Sequence, residues 1–452
     1  MLHNFPKDFV WGAAASAFQI EGAAFEGGKG ANKHDHILRD PDLKHHYDGT
    51  RLPDVCADFY HLYPEDIKLF KELGLKSFRY SISWARIYPN GPEGGVNEEG
   101  IAFYNRLIDA LIEAGIEPFM DLYHSDVPWW VIERGGMLNR EFVEWFSVYA
   151  ETCFEAFGDR VKLWSTVNEP KLQVYGAYAF AFSPPYMKDE RAAMIATHHM
   201  LLAHFEAVKH ARRICPDAKV GSVHNMGKTY PATNGEKDVY SADMHDILQH
   251  VYLYPMVYGV YPETLLQNQE FFRYVTEEEK AELRAAFVPC DFAGVNYYTP
   301  CYSKYDPTQP YGIGAAECDR GFAADGYGFR CYPQGLFDTL WFCGQLYPDL
   351  DLFITENGYT TLRGGEFDEP TTAEDPERIN YIREHILEVW RALQAGSRVK
   401  GYYHWAAMDC FEGGLGFGVD MGLVGINYGT LERIPRKSFY FYQEVIKHHG
   451  LL

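Results

Sequence analysis

Short apolar, β-rich runs alternate with amphipathic stretches from the start of the chain almost to its end. The runs predicted as strands are residues 10–15, 77–83, 118–123, 163–167, 219–223, 292–297, 352–355 and 400–405. Helical periodicity fills the intervals. Residues 64–73 read PEDIKLFKEL, which puts Ile67, Leu69, Phe70 and Leu73 on one stripe and acids in the first turn. Similar patterns predict helices near 100–114, 140–157, 190–211, 334–346, 376–394 and 436–448, with a less regular one within 242–253.

Strands that alternate with helices in this way predict a parallel α/β fold. Eight such units suit a closed (β/α)8 TIM barrel better than an open sheet. No repeat, low-complexity tract or linker breaks the pattern, so residues 1–452 read as a single domain. The polar, Gly- and Pro-rich stretches 29–53, 299–332 and 362–374 read as long βα loops placed to line a pocket.

Composition narrows the function classes. A formal charge of −22 repels phosphate backbones and anionic bilayers, so neither nucleic acid nor a membrane is expected as a partner. No apolar window is long enough to span a bilayer, and the N-terminus MLHNFPKDFVWG reads as no signal peptide. Nine cysteines (56, 153, 215, 290, 301, 318, 331, 343 and 410) are scattered singly with no C-x-x-C pair. That usage fits free thiols in a reducing cytoplasm. Aromatic residues make up 16% of the chain, enough both for core packing and for a site that stacks on sugar rings. Self-association is left open.

Barrel enzymes place their chemistry at the C-terminal ends of the strands. Two acids stand there. LWSTVNEP ends its strand at Asn168–Glu169 before Pro170, and LFITENG ends at Glu356 before the turn residues Asn357–Gly358. A carboxylate directly after an apolar β run is poorly placed for a solvated face and well placed for a partly buried site. Two of them, from different strands, meet the requirement of glycoside hydrolysis for a proton donor and a nucleophile or base. Strand-end carboxylates also bind metals in other barrels, so a metal-dependent hydrolase or isomerase is the competing reading. The remaining strand ends favour sugar: Gln19 and Glu21 in AFQIEG, Arg79 in SFRYSIS, His124 after FMDLY, Asn296 and Tyr298 in AGVNYY, Trp405 in GYYHW and Glu412 in DCFEG. Amides, an imidazole, an indole and a further acid can share hydrogen bonds with sugar hydroxyls, and Arg79 is suited to hold Glu356 ionised.

The ordered motifs FVWGAAASAFQIEG, FRYSISWARIYP, STVNEP, GVNYYT and ITENG resemble those of glycoside hydrolase family 1, the β-glucosidase family, over nearly the whole chain. The resemblance implies a retaining β-glycosidase, acting without metal or cofactor on small β-glycosides or oligosaccharides. It implies Glu169 as acid/base, Glu356 as nucleophile, and Arg79 and Tyr298 as the groups that tune the nucleophile. It further implies that Asn168 contacts the sugar 2-hydroxyl, that Gln19, His124 and Glu412 grip other hydroxyls, that Trp405 lies beneath the ring, that Asn296 sits near the acid/base, and that Trp164 is packing.

Three positions depart from the family pattern. His34–Asp35 stands for Trp-Asp, Ser125 for the Trp after His124, and Gly413 for the Trp after Glu412. They imply a wider, wetter pocket, with Trp129 and Trp130 as partial compensation. The 6-phosphoglycosidase subgroup replaces the glycone-binding Glu and supplies basic groups; retention of Glu412 in EGGLGFGVDMGLVG favours unphosphorylated substrates. A non-catalytic sugar-binding barrel would normally have lost one of the two acids. The histidines of His34-Asp35-His36, His45–His46 and His198–His199 read as chance neighbours rather than metal ligands.

Overall fold

All eight β-rich runs form parallel strands that hydrogen-bond in chain order and close on themselves. In the computed structural model, which describes residues 3–42, 51–263, 272–317, 320–363 and 372–452, they are β1 (Val10–Ala15), β2 (Ser77–Ser81), β3 (Glu117–Asp121), β4 (Leu163–Asn168), β5 (Lys219–Asn225), β6 (Phe292–Asn296), β7 (Asp351–Asn357) and β8 (Val399–Trp405). The principal helices are α1 (Phe59–Leu73), α2 (Glu98–Glu113), α3 (Phe142–Phe157), α4 (Glu190–Ile214), α5 (Glu236–Gln249), α6 (Pro333–Leu346), α7 (Pro376–Gln394) and α8 (Lys437–His448). The barrel is the TIM architecture. His45–His46 and Cys318 lie outside the described residues, as do parts of the stretches 29–53 and 362–374.

The barrel interior is filled by rings. Phe119 of β3 lies 5.6 Å from Phe292 of β6 and 5.5 Å from Tyr403 of β8, and Phe353 of β7 lies 5.2 Å from Phe292. The contacts of Phe119 with Phe292 and Tyr403 join non-adjacent strands and require that these rings point inward. Glycine makes the room: a Cβ on Gly12 would stand 2.3 Å from the Tyr403 ring, and one on Gly221 would stand 2.7 Å from the Phe292 ring. Above this aromatic layer, the guanidinium of Arg79 lies 6.0 Å over the ring of Phe119. The layer is therefore the floor of whatever the strand ends enclose.

Several boundaries differ from the sequence reading. The helix expected from Pro64 begins at Phe59 and runs through the proline. Phe59 is fully buried against Tyr80 at 5.3 Å, and Tyr60 stacks on Phe103 at 4.4 Å. That packing outweighs the single backbone hydrogen bond that Pro64 cannot make. The helix expected within 242–253 starts earlier, at Glu236. β7 extends two residues past the expected end and so takes Glu356 and Asn357 into the strand.

The long stretches are more than plain loops. Lys33–Arg39 is a helix capped by Asn32, whose side chain and that of Asp35 satisfy each other's backbone amides. Within 299–332, Cys301–Tyr305 pairs with both Thr229–Pro231 and Ile313–Ala315. After β8, Asp409 is buried and accepts hydrogen bonds from Arg436 at 2.8 and 2.9 Å, from Arg363 at 3.0 Å, and from the amides of Gly422 and Ile426. This knot fixes the segment that carries Glu412.

Gly358 shows how tightly the ends of β7 and β8 are joined. A Cβ there would meet the Trp405 carbonyl oxygen at 1.8 Å, which is backbone and cannot swing aside. We expect Gly358→Ala to destabilise the protein by about 3 kcal/mol and to lower its melting temperature; an unchanged thermal unfolding profile would contradict the packing described.

Candidate active site

Seven of the eight barrel strands deliver a polar or aromatic side chain to the same region at or just beyond their C-terminal ends, and β2 reaches behind it with Arg79 from its middle. Gln19, His124, Asn168, Glu169, Tyr298, Glu356, Trp405 and Glu412 line one cavity of about 350 Å³, and Asn225 joins them. Arg79 and Asn296 lie behind its wall, fully buried. The structure thus brings together every residue singled out from the strand ends except Glu21. That acid is buried elsewhere, paired with Arg86 at 2.7 Å and accepting from Tyr80 and Tyr104.

Glu169 turns the chain from β4 into the helix Pro170–Tyr178 with a left-handed φ of 50°. For a residue with a Cβ, this conformation costs about 1 kcal/mol. Its Oε1 accepts from Asn296 Nδ2 at 2.9 Å and from Asn225 Nδ2 at 3.3 Å. Burial pushes the Glu169 carboxyl above its usual range, and the nearby charge of Glu356 adds to the rise.

Glu356 is held from both sides. Arg79 Nη1 donates to Oε1 at 2.7 Å, and the Tyr298 hydroxyl donates to Oε2 at 2.6 Å. Burial and the Glu356 charge keep the Tyr298 phenol well above its ordinary range, so it remains a donor. The other arm of Arg79 reaches Asn168 Oδ1 at 2.8 Å and lies 2.6 Å from Asp121 Oδ2. Arg79 and Asn296 both donate to Asn168 Oδ1, which fixes the amide with its NH2 toward His124 Nε2 at 3.4 Å. His124 Nε2 is then the acceptor, and its Nδ1 faces Asp121 at 3.7 Å.

The opposite lobe centres on Glu412. Its Oε1 accepts from Gln19 at 3.0 Å and from the Trp405 indole at 3.2 Å, and its Oε2 accepts from Tyr327 at 3.0 Å. Burial raises its carboxyl as well. Trp405 lies parallel to His124, ring centres 5.5 Å apart.

The three departures all face the cavity. His34 stacks on Phe18 at 4.4 Å, Ser125 Oγ lies 3.4 Å from His34 Nε2, and a Cβ on Gly413 would meet nothing within 4 Å. The expected compensation by Trp129 and Trp130 does not occur. Trp129 stacks on His36 at 3.6 Å, and Trp130 is buried against Trp84 at 5.7 Å and Trp145 at 5.4 Å; neither lines the cavity. Trp164 is fully buried, packed on Phe154 at 5.0 Å.

Sequence reasoning missed four participants. Asp121 and Asn225 end β3 and β5 as polar residues after apolar runs, a signal of the kind that picked out Glu356. Tyr327 lies in an irregular stretch where no periodicity points inward. Lys33, whose ammonium donates to Gln173 at 3.0 Å, has its pKa lowered by burial to about 8. Among the described residues, no group of histidine, cysteine or acidic side chains is arranged to hold a metal ion; His198 and His199 bond to Tyr261 and Glu282 and to the Met137 carbonyl respectively.

The family model for glycosyl hydrolase family 1 matches residues 1–451. The chain belongs to glycosyl hydrolase family 1. It is 37% identical to beta-glucosidase A of Thermotoga maritima over 458 residues, covering 100% of this chain and 99% of that one. It is also 37% identical to the 6-phospho-beta-glucosidase GmuD of Bacillus subtilis, covering 99% and 98%. The structure of the Thermotoga maritima beta-glucosidase in complex with castanospermine superposes with a TM-score of 0.92 at 35% identity, covering both chains fully. The family's barrel is thus the fold observed here, and among the described residues no helix is long and apolar enough to cross a membrane.

The mutual influence of the two acids is measurable. In Glu356→Gln the neighbouring negative charge is gone, so the Glu169 carboxyl should titrate at a lower pH than in the parent protein. An NMR titration with 13C-labelled glutamate reads this directly; an unchanged Glu169 midpoint would mean that the two groups do not sense each other.

Proposed function

We propose that this protein is a retaining β-glucosidase that removes the terminal sugar of small β-glycosides by double displacement. One observation carries the reading: two acids from separate strands face one cavity in unequal environments. Glu356 accepts from Arg79 and Tyr298, while burial and the charge of Glu356 raise the Glu169 carboxyl above its usual range.

In the first step Glu356 attacks C1 and the bond from C1 to the leaving oxygen breaks. The Glu169 proton passes to that oxygen. A glycosyl ester forms, and the negative charge on Glu356 disappears with it. The pKa of Glu169 then falls, which suits it to take a proton from water. The water oxygen bonds to C1, the ester bond breaks, and Glu356 is restored as a carboxylate. Two inversions leave the β configuration. Gln19, His124, Asn168 and Glu412 supply the hydrogen-bonding edge for the glycone, with Trp405 as its platform. No step calls for a metal.

An unphosphorylated glycone fits the Glu412 lobe better than a 6-phosphate. Among the described residues, the contacts of Glu412 are neutral: Gln19, Trp405, Tyr327 and Cys410. With no cation there, the carboxylate would repel a phosphate. We further place the protein in the cytoplasm as a single barrel domain; the eight described cysteines are all free thiols, as a reducing compartment favours.

Glu356→Ala should abolish turnover of aryl β-glucosides, and added azide should then restore activity with an α-glucosyl azide product. Glu169→Ala should lose about 10²–10⁴-fold on poor leaving groups while the first step with dinitrophenyl glucosides is largely spared. Product stereochemistry by NMR and a leaving-group series check both; full activity in either variant rejects the assignment.

A further inference from the structure

Leu172, Gly176 and Phe182 line the catalytic cavity and also a second chamber of about 200 Å³. Tyr175, Phe180, Leu248 and Ile313 add to its apolar wall. Phe182 is 71% exposed and Leu172 is 51% exposed, so the partition between the two spaces is apolar surface open to solvent.

Lys171 also lines this chamber, two residues after Glu169 in the first turn of the helix Pro170–Tyr178. Among the described residues its ammonium has no hydrogen-bond or ion-pair partner. The neighbouring acids are committed elsewhere. Asp246 is in contact with Lys228 and accepts from the Thr229 amide at 2.8 Å. Glu169 accepts from Asn296 and Asn225. His245, the chamber's other basic side chain, is pushed down by burial to about 3 and is therefore neutral. The chamber is thus lined by apolar and aromatic side chains with Gln309 and Tyr311 beside them, and by Lys171, whose ammonium burial draws below its usual pKa.

We propose that this chamber receives the aglycone and that Lys171 selects aromatic aglycones bearing a carboxylate, so that β-glucosides of aromatic acids are the preferred substrates. The proposal rests on the reading of Glu169 as the proton donor. The leaving group must lie against Glu169, and the chamber adjoins it through the helix that Glu169 begins. An aromatic ring can bury its faces on Leu172, Phe180 and Phe182. A carboxylate on that ring gives the ammonium the charge-assisted hydrogen bond it does not have within the protein. The overall charge of −22 opposes an anionic ligand, so a local cation is needed to admit one.

The test compares kcat/KM for the β-glucoside of 4-hydroxybenzoate with that of 4-hydroxybenzamide, in the parent and in Lys171→Met and Lys171→Arg. The acid-to-amide ratio should fall about 10- to 100-fold in Lys171→Met and persist in Lys171→Arg, while cleavage of 4-nitrophenyl β-glucoside changes little. Taking the ratio within each variant removes the difference in leaving-group strength. An unchanged ratio overturns the proposal. So does an equal loss on all three substrates in Lys171→Met, which would mean that Lys171 acts on Glu169 instead. If the parent cleaves none of the three, the underlying glucosidase reading falls and the proposal goes with it.

Discussion

A single buried guanidinium organises the site. Arg79 leaves the middle of β2, rests over the aromatic floor at Phe119, and reaches Asp121 on β3, Asn168 on β4 and Glu356 on β7. Removing such a charge from water costs several kcal/mol unless partners replace the lost hydration. Two carboxylates and an amide oxygen do so here. The same bonds give each partner its orientation: Asn168 is turned so that its NH2 faces His124, and His124 is thereby set with Nε2 as acceptor. A change at Arg79 would therefore disturb several groups together.

The floor and the walls obey different rules. Below Arg79, four rings and the glycines opposite them leave no room for variation, and the apolar pattern of the strands is all that is needed to specify them. Above it, the groups are mostly polar; Asn168, Asn225, Glu356 and Trp405 belong to strand ends, whereas Tyr298, Tyr327 and Glu412 lie beyond the strands. Glu412 is the clearest case. It lies beyond β8, yet it is held by Gln19, Trp405 and Tyr327, and its segment is pinned by the buried contacts of Asp409 with Arg363 and Arg436. Burial draws the Asp409 carboxyl upward, but Arg436 and then Arg363 outweigh it and hold it below its ordinary value. Its negative charge can therefore organise the loop.

This division explains what was legible in the sequence. The eight strands and most of the helices follow from apolar periodicity, because burial imposes that period. Glu169 and Glu356 stand out because an acid directly after an apolar run is poorly placed for a solvated face. Glu21 has the same local signature and proves to be a structural ion pair. Local pattern cannot tell an acid that meets an arginine from one that faces a cavity. Phe59 and Tyr60 extended α1 through Pro64 by contacts with distant rings, which no window of the sequence displays. Trp129 and Trp130 were expected to compensate for the three departures from the family pattern; packing on His36 and Trp84 holds them away from the cavity.

The chemistry and the choice of substrate are built from separable parts. Glu169, Glu356, Arg79, Asn168, Asn296 and Tyr298 form one hydrogen-bonded unit in which each bond constrains the next, so substitutions there are coupled. His34, Ser125 and Gly413 touch the cavity outside that unit, and Gly413 borders open space. Small or polar side chains can occupy these positions without disturbing the charge balance of the acids. A chain can therefore keep this hydrogen-bonded unit while altering the shape of the surrounding pocket. The direction of that alteration has to be sought in the uncommitted groups at the rim, because the groups at the centre are fully engaged with one another.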